Sequence, residues 1–306
     1  MRHVIESQQF DRETIECIFK KADELSTLKL KGTPLRDQIM ASLFYEPSTR
    51  TRLSFESAMM RLGGEVLTME NGGETSSQTK GETLEDSIRV VSSYADVIVM
   101  RHPEAGASER AASVSDIPVI NAGDGAGQHP TQALLDLYTV ERERGKIDGV
   151  QVAIVGDLKY GRAARSLVYL LGKFDDIKLI LVSPPELKMN DDIKAYMKDK
   201  GIQYTEVAEL PEAMREVDVV YQTRIQKERF PSKEEYEHFK GIYIIDRSLA
   251  DSMKEGGIII HPLPRVGEIT PEVDDSPHAV YFKQVGYGLI VRMALLSLLL
   301  DPAKQD

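Results

Sequence analysis

Six short stretches of the chain gather residues suited to holding anions. They are Ser48-Thr49-Arg50-Thr51-Arg52, Arg101-His102-Pro103, His129-Pro130-Thr131-Gln132, Asp157 to Arg162, Thr223 to Arg229, and His261-Pro262-Leu263-Pro264-Arg265. In the first, hydroxyls and guanidiniums open a helix whose apolar positions are Leu53, Phe55, Met59 and Leu62, with Ser48 placed as its cap. A phosphate needs such a site: N–H groups at a helix start, a favourable dipole and a fork-shaped cation. The residues alone leave a second reading open, in which Ser48 only caps the helix and Arg52 pairs with Glu56 one turn on.

Other chemistries are disfavoured. The segment Gly156 to Arg162 follows a strand and precedes a helix, but Arg162-Ala163 stands where a nucleotide-binding loop needs Lys and then Ser or Thr. What remains is an arginine at a helix start, suited to a carboxylate. His129 and His261 lack the spacing of metal ligands, and no other histidine adds an acidic cluster, so neither metal nor cofactor is expected. His129, between a strand and a helix, suits either a structural hydrogen bond or catalysis. The single cysteine, Cys17, sits among Ile15, Ile18 and Phe19 and reads as a core or interface residue. A net charge of −11 opposes a nucleic-acid partner, which needs a clustered basic surface. No apolar run approaches the roughly 18 residues of a membrane span and the N-terminus has no signal-like apolar stretch, so no membrane partner and a cytoplasmic location are expected.

These stretches need elements to hold them. The 306 residues, 42% apolar and 28% charged, have globular composition, and the length suits two domains. Short apolar runs alternate with helical patterns, the signature of parallel sheets covered by helices. Strands are predicted at Ile39–Tyr45, Glu65–Met69, Asp96–Met100, Pro118–Asn121, Gln151–Gly156, Lys178–Ser183, Asp218–Thr223 and Gly257–His261. Every reactive stretch follows one of these strands, where open parallel sheets bind ligands. The helix from about His129 to Arg144 reads as a connector and Leu289–Leu300 as a final apolar helix. The expected fold is α/β: two doubly wound parallel-sheet domains with a cleft between them, the C-terminal helix packing back on the first. Residues 1–132 plus 288–306 would form the first domain and 133–287 the second.

Ser-Thr-Arg-Thr-Arg at 48–52, Arg-His-Pro at 101–103, His-Pro-Thr-Gln at 129–132 and His-Pro-Leu-Pro at 261–264 together resemble the aspartate/ornithine carbamoyltransferase family, in order and in spacing, from about Tyr45 to Arg292. The resemblance implies that Ser48, Thr49, Arg50, Thr51 and Arg101 bind the phosphate of carbamoyl phosphate. The carbonyl oxygen would face Thr51, Arg101 and His129. Gln132 and the Leu263 carbonyl, beside Pro262, would hold the carbamoyl nitrogen. Charge selects the acceptor: Lys80, Arg162, Arg224 and Arg229 would repel the second ammonium of ornithine, whereas the second carboxylate of aspartate can accept bidentate bonds from arginine. Pro262 also stands where ornithine enzymes carry Cys. Aspartate would meet Arg162, Arg224 and Gln226, with Ser76 and Lys80 reaching in from a neighbouring subunit of a homotrimer. Thr79 departs from relatives that have a second lysine there.

The implied reaction is an early committed step toward the pyrimidine nucleotide UMP. Regulatory chains accompany some family members. The polar stretch Asn71 to Lys80 reads, on its residues alone, as an exposed loop, and only the resemblance makes it a loop shared between chains. Two alternatives remain from sequence: a carbamoyltransferase using ornithine or another amino acid, and a non-catalytic sensor of phosphorylated metabolites.

Overall fold

The computed structural model describes residues 1–27, 34–70, 81–225, 232–239 and 241–300. Ser76, Lys80 and Gln226 lie outside the described residues. The chain divides into two compact units, Met1–Leu135 together with the chain from Gly286 on, and Asp136–Val285.

Unit 1 is built on four parallel strands, β1 (Ile39–Phe44), β2 (Glu65–Glu70), β3 (Val97–His102) and β4 (Val119–Asp124), in the order β2-β1-β3-β4. Its helices are α1 (Arg12–Thr27), α2 (Thr49–Arg61), α3 (Leu84–Ser92), α4 (Ala107–Val114) and the first turns of α5 (Pro130–Arg144). β1 is buried along almost its whole length because helices cover both sheet faces. Ala41 and Leu43 pack with Leu84 and Ile88 of α3 and Ala107 and Ala111 of α4. From the alternate face Ser42 donates to Glu56 of α2 at 3.0 Å. β2 is the exposed edge.

Unit 2 repeats the design with five parallel strands, β5 (Gln151–Val155), β6 (Lys178–Val182), β7 (Gln203–Val207), β8 (Val219–Gln222) and β9 (Ile258–Ile260), ordered β7-β6-β5-β8-β9. Its helices are the rest of α5, then α6 (Arg162–Leu171), α7 (Asp191–Asp199), α8 (Leu210–Glu216), α9 (Lys233–Phe239), α10 (Arg247–Asp251) and the first turn of α11 (Tyr281–Leu299). Ala153, Val155 and Val220 pack with Leu210, Ala213 and Met214 of α8 and Ala250 of α10. The opposite face carries Tyr221, whose hydroxyl donates to Asp136 of α5 at 2.8 Å. Two doubly wound α/β sheets are thus present.

The C-terminal part of α11 packs on unit 1. There Arg292, 5% exposed, donates to Ser54 of α2 at 2.7 Å, and its guanidinium lies 5.1 Å from the Phe55 ring. Burial of a side chain such as Phe55 stabilises α2 by about 1.5–3 kcal/mol. Among the described residues α11 alone is long and apolar enough to cross a membrane, with a mean hydropathy of 1.3, which corrects the expectation that no segment reaches that length. Half of that stretch is buried within the chain, as in the core helix of a folded domain.

Three local expectations change. Cys17 is exposed and so is no core residue of the single chain, because the inward face of α1 is set by Ile15, Ile18, Phe19, Ala22 and Leu25. Leu53 is 51% exposed, since the buried face of α2 runs through Thr51, Phe55, Ala58 and Met59. Arg52 pairs with Glu70 at 3.0 Å rather than Glu56, whose Oε1 is taken by Ser42 and Thr68.

Candidate active site: the strand exits of both sheets

In each sheet the strand order reverses at one place, and the chain leaves adjacent strands there in opposite directions. Such switch points open a crevice beyond the carboxyl ends of the strands. In unit 1 the switch lies between β1 and β3, and in unit 2 between β5 and β8.

At the unit 1 switch, β1 leads to Tyr45, Glu46, Pro47 and Ser48, and β3 carries Arg101 near its end. Phe44 and Arg101 are register partners, and the Tyr45 N–H donates to the Arg101 carbonyl at 2.9 Å, so the two exits are tied side by side. Ser48 occupies the N-cap of α2, but its side chain makes no capping hydrogen bond. Thr49 and Arg50 are exposed in the first turn and Thr51 is buried. The Arg101 side chain is only 17% exposed, and its guanidinium meets the Glu46 carboxylate at 2.7 Å. Glu46 had no assigned role in the sequence, and its pairing with a residue 55 positions away left no local signal.

The next exit, after β4, presents His129 and Gln132, both buried at the start of α5. Asp124 shapes this loop. One carboxylate oxygen accepts from Gln128 N–H at 2.9 Å and the other from Gly106 N–H at 2.9 Å, while Gly125 N–H donates to the His102 carbonyl at 2.8 Å. The loops leaving β3 and β4 are thereby joined. His102 itself is not free for acid–base work: its Nδ1 accepts from Glu104 N–H at 3.1 Å, and burial holds its pKa below the ordinary histidine value. Beside it, at 4.9 Å between ring centroids, Tyr45 is pushed up to about 12 by burial and the Glu82 charge.

The unit 2 switch is closed up differently. Gly156, directly after β5, has φ +117, and a Cβ there would lie 2.5 Å from the Thr223 carbonyl, so only glycine lets the β5 and β8 exits pass. Thr223 fixes the partner exit by donating both N–H and hydroxyl to the Val155 carbonyl at 2.8 Å. Asp157, fully buried, accepts from Tyr160 N–H at 2.9 Å and shapes the turn into α6, whose first residue is the half-exposed Arg162. Arg224 follows Thr223 at the adjacent exit and is also half-exposed. Past β9, at the sheet edge, come His261, Pro262 and Leu263, with Leu263 at φ +53.

The structure thus gathers Ser48, Thr49, Arg50, Thr51 and Arg101 at one switch point, with His129 and Gln132 at the next exit. Arg162 and Arg224 stand at the other switch point, with Pro262 and Leu263 beyond β9. Both sets favour anions, and the unit 1 set adds donors suited to a carbonyl oxygen. No group of three or more metal-ligating side chains occurs among the described residues.

Parallel-sheet units whose strand exits carry arginines in this way suit anionic ligands. Residues 2–142 match the family described as "Aspartate/ornithine carbamoyltransferase, carbamoyl-P binding domain" and residues 148–299 its "Asp/Orn binding domain". Over 302 residues the chain is 56% identical to aspartate carbamoyltransferase 3, chloroplastic, of Pisum sativum, covering 97% of this chain and 77% of that protein. The solved catalytic subunit of aspartate transcarbamoylase from M. jannaschii superposes with a TM-score of 0.91 at 51% identity, covering 100% of both chains. The Trypanosoma cruzi aspartate transcarbamoylase in complex with N-(phosphonacetyl)-L-aspartic acid gives 0.90 at 41% identity, covering 97% of this chain and 95% of that one. The chain belongs to the aspartate/ornithine carbamoyltransferase family.

Proposed function

We infer that this protein transfers the carbamoyl group of carbamoyl phosphate to the α-amino group of L-aspartate, giving N-carbamoyl-L-aspartate and phosphate. The observation that carries the choice of acceptor is the pair of arginines, Arg162 and Arg224, at the exits of adjacent strands β5 and β8. A dicarboxylate suits them and a second ammonium does not. The similar proteins are aspartate enzymes by name. The product contains the open-chain precursor of a pyrimidine ring, which puts the reaction early in UMP synthesis.

Unit 1 supplies the groups for the donor. Ser48, Thr49, Arg50 and Thr51 hold the phosphate at the start of α2, where N–H groups and the helix dipole favour it. As the neutral amine of aspartate attacks the carbonyl carbon, negative charge grows on oxygen, and Thr51, Arg101 and His129 stabilise it. Gln132 and the Leu263 carbonyl fix the carbamoyl nitrogen. Unit 2 orients aspartate through Arg162 and Arg224, with Gln226 two residues further along the chain. The C–O bond to phosphate breaks as the C–N bond completes, and the departing phosphate accepts the amine proton. Orientation of the two substrates alone can contribute about 7 to 11 kcal/mol, so no covalent nucleophile is needed. A colorimetric assay for carbamoyl aspartate with aspartate, ornithine and other acceptors tests this reading. Product from ornithine but not aspartate would overturn it, and tight binding of a bisubstrate phosphonate without any product would favour a sensor.

The same reading includes a homotrimer in which Ser76 and Lys80 serve a neighbouring chain's site. Exposed apolar side chains on α2 and β2 (Leu53, Met60 and Leu67) support an assembly face on unit 1. Arg50→Ala and Lys80→Ala chains, each inactive alone, should regain about a quarter of wild-type activity when unfolded together and reassembled. Three trimers in about four are mixed, and each mixed ring holds one intact site in three. Hybrid rings as inactive as their parents would rule out the shared site.

A further inference from the structure

The Leu263 backbone is held by a buried relay. His261 Nδ1 accepts from Leu263 N–H at 2.7 Å, so a neutral ring carries its proton on Nε2, which donates to Glu268 Oε1 at 2.7 Å. The second Glu268 oxygen accepts from Val266 N–H at 2.8 Å. From the other side, His261 N–H donates to Gln284 Oε1 at 3.0 Å, Gln284 Nε2 to Asp136 Oδ1 at 2.6 Å, and Tyr221 to Asp136 Oδ2 at 2.8 Å. His261, Gln284, Asp136 and Tyr221 are all no more than 2% exposed. Leu263 stands at φ +53, a left-handed conformation that leucine disfavours and that surrounding structure must impose. Two backbone donors of one turn, before and after the Leu263 carbonyl in the chain, thus end on a single His–Glu pair.

A carbonyl oxygen only accepts. It rewards the NH2 of a carbamoyl group and gives nothing to the equally sized methyl of an acetyl group. Sites built around such a hydrogen bond reject the analogue lacking it because a polar group is left unpaired.

We propose that His261 is a positioning residue that sets the preference for a carbamoyl over an acetyl phosphate donor, by fixing the Leu263 carbonyl. This rests on the role given to Leu263 above. The His261 side chain is only 1% exposed and acts through Leu263, not on substrate.

Full-length wild type, His261→Asn and His261→Gln test it. The asparagine carbonyl falls near the Nδ1 position and preserves an acceptor for Leu263 N–H. The glutamine amide reaches toward Glu268 and leaves that N–H unserved. Inhibition constants for acetyl phosphate and inorganic phosphate are measured beside KM for carbamoyl phosphate and aspartate. In His261→Gln, KM for carbamoyl phosphate should rise roughly tenfold, a single hydrogen bond's worth, with the acetyl phosphate constant little changed. The carbamoyl-to-acetyl preference then collapses, while inorganic phosphate, which has no nitrogen to place, binds within about twofold of wild type. His261→Asn should retain most of the preference. A preference unchanged in both variants overturns the proposal, as does a parallel loss of inorganic phosphate binding, which marks a merely structural role. A wild type that makes carbamoyl aspartate without preferring the carbamoyl donor removes the Leu263 assignment and the proposal together, leaving the overall reaction standing.

Discussion

The two sheets solve one problem by different means. Each pair of exits shares one backbone hydrogen bond, but at the unit 1 switch point those of β1 and β3 are also linked by large side chains, the Tyr45 ring beside His102 and Glu46 on Arg101. At the unit 2 switch point the β5 and β8 exits are joined by backbone, with Gly156 against the Thr223 carbonyl and Thr223 bonded back to Val155. Shared topology therefore fixes where a ligand can sit, while the manner of closure decides what a substitution does. Changes in the first region should fall on chemistry, and changes to the packed glycine of the second on folding.

The largest test of that contrast is Arg101→Ala. Loss of one donor to a developing oxyanion is worth about 2.7–4 kcal/mol, so kcat should fall about a hundredfold to a thousandfold with the melting temperature little changed. Near-normal turnover would remove Arg101 from the mechanism. Gly156→Ala should do the reverse, lowering stability by on the order of 3 kcal/mol, because φ +117 and a carbonyl at 2.5 Å both oppose a Cβ. Denaturant unfolding reads this directly, and an unchanged midpoint would mean that the exits do not need the glycine.

Arg224→Ala should sharpen the division of labour. A charge-assisted bond worth about 1.5–3 kcal/mol predicts an aspartate KM about ten to a hundred times higher, with the carbamoyl phosphate KM nearly unchanged. Equal effects on both substrates would place Arg224 elsewhere.

A smaller effect concerns pH in unit 2. Burial pushes Glu268 up, but hydrogen bonds from His261 and the Val266 N–H outweigh it and leave its pKa below the ordinary glutamate value. A carboxylate depressed on folding stabilises above its unfolded pKa and loses that contribution as pH falls through the folded value. The melting-temperature gap between wild type and Glu268→Gln should therefore be widest near neutrality and narrow below pH 4.5. A gap independent of pH would show that Glu268 carries no linked charge. Smallest of all is Cys17→Ser, expected within about 0.5 kcal/mol of wild type, with the native thiol open to a thiol reagent. Slow labelling would show that assembly covers α1.

What the sequence disclosed was periodic or local. Eight of the described strands could be placed from apolar runs, among them the edge strand β2, which keeps Val66, Leu67 and Met69. β7, Gln-Tyr-Thr-Glu-Val, escaped because an edge strand with one wet side needs no such run. α11 begins at Tyr281, well before the expected Leu289, since Lys283, Gln284, Gly286 and Gly288 break the apolar pattern while tertiary contacts sustain the helix. The strand-exit residues were legible because their chemistry is concentrated in short stretches. Their partners were not. Arg52 finds Glu70, Arg101 finds Glu46 and His261 finds Gln284, each across a separation that no local spacing encodes. Ser76, Lys80 and Gln226 fall outside the described residues.

The division of the chain also bears on its synthesis. Unit 2 is one uninterrupted stretch, Asp136–Val285, whereas unit 1 needs α11, which emerges from the ribosome after all of it. The half translated first is therefore the half completed last. Until Arg292 arrives to bond Ser54 and lie against Phe55, the helix that opens with Thr49, Arg50 and Thr51 lacks its backing, and a nascent chain can hold a finished unit 2 before it has a finished unit 1.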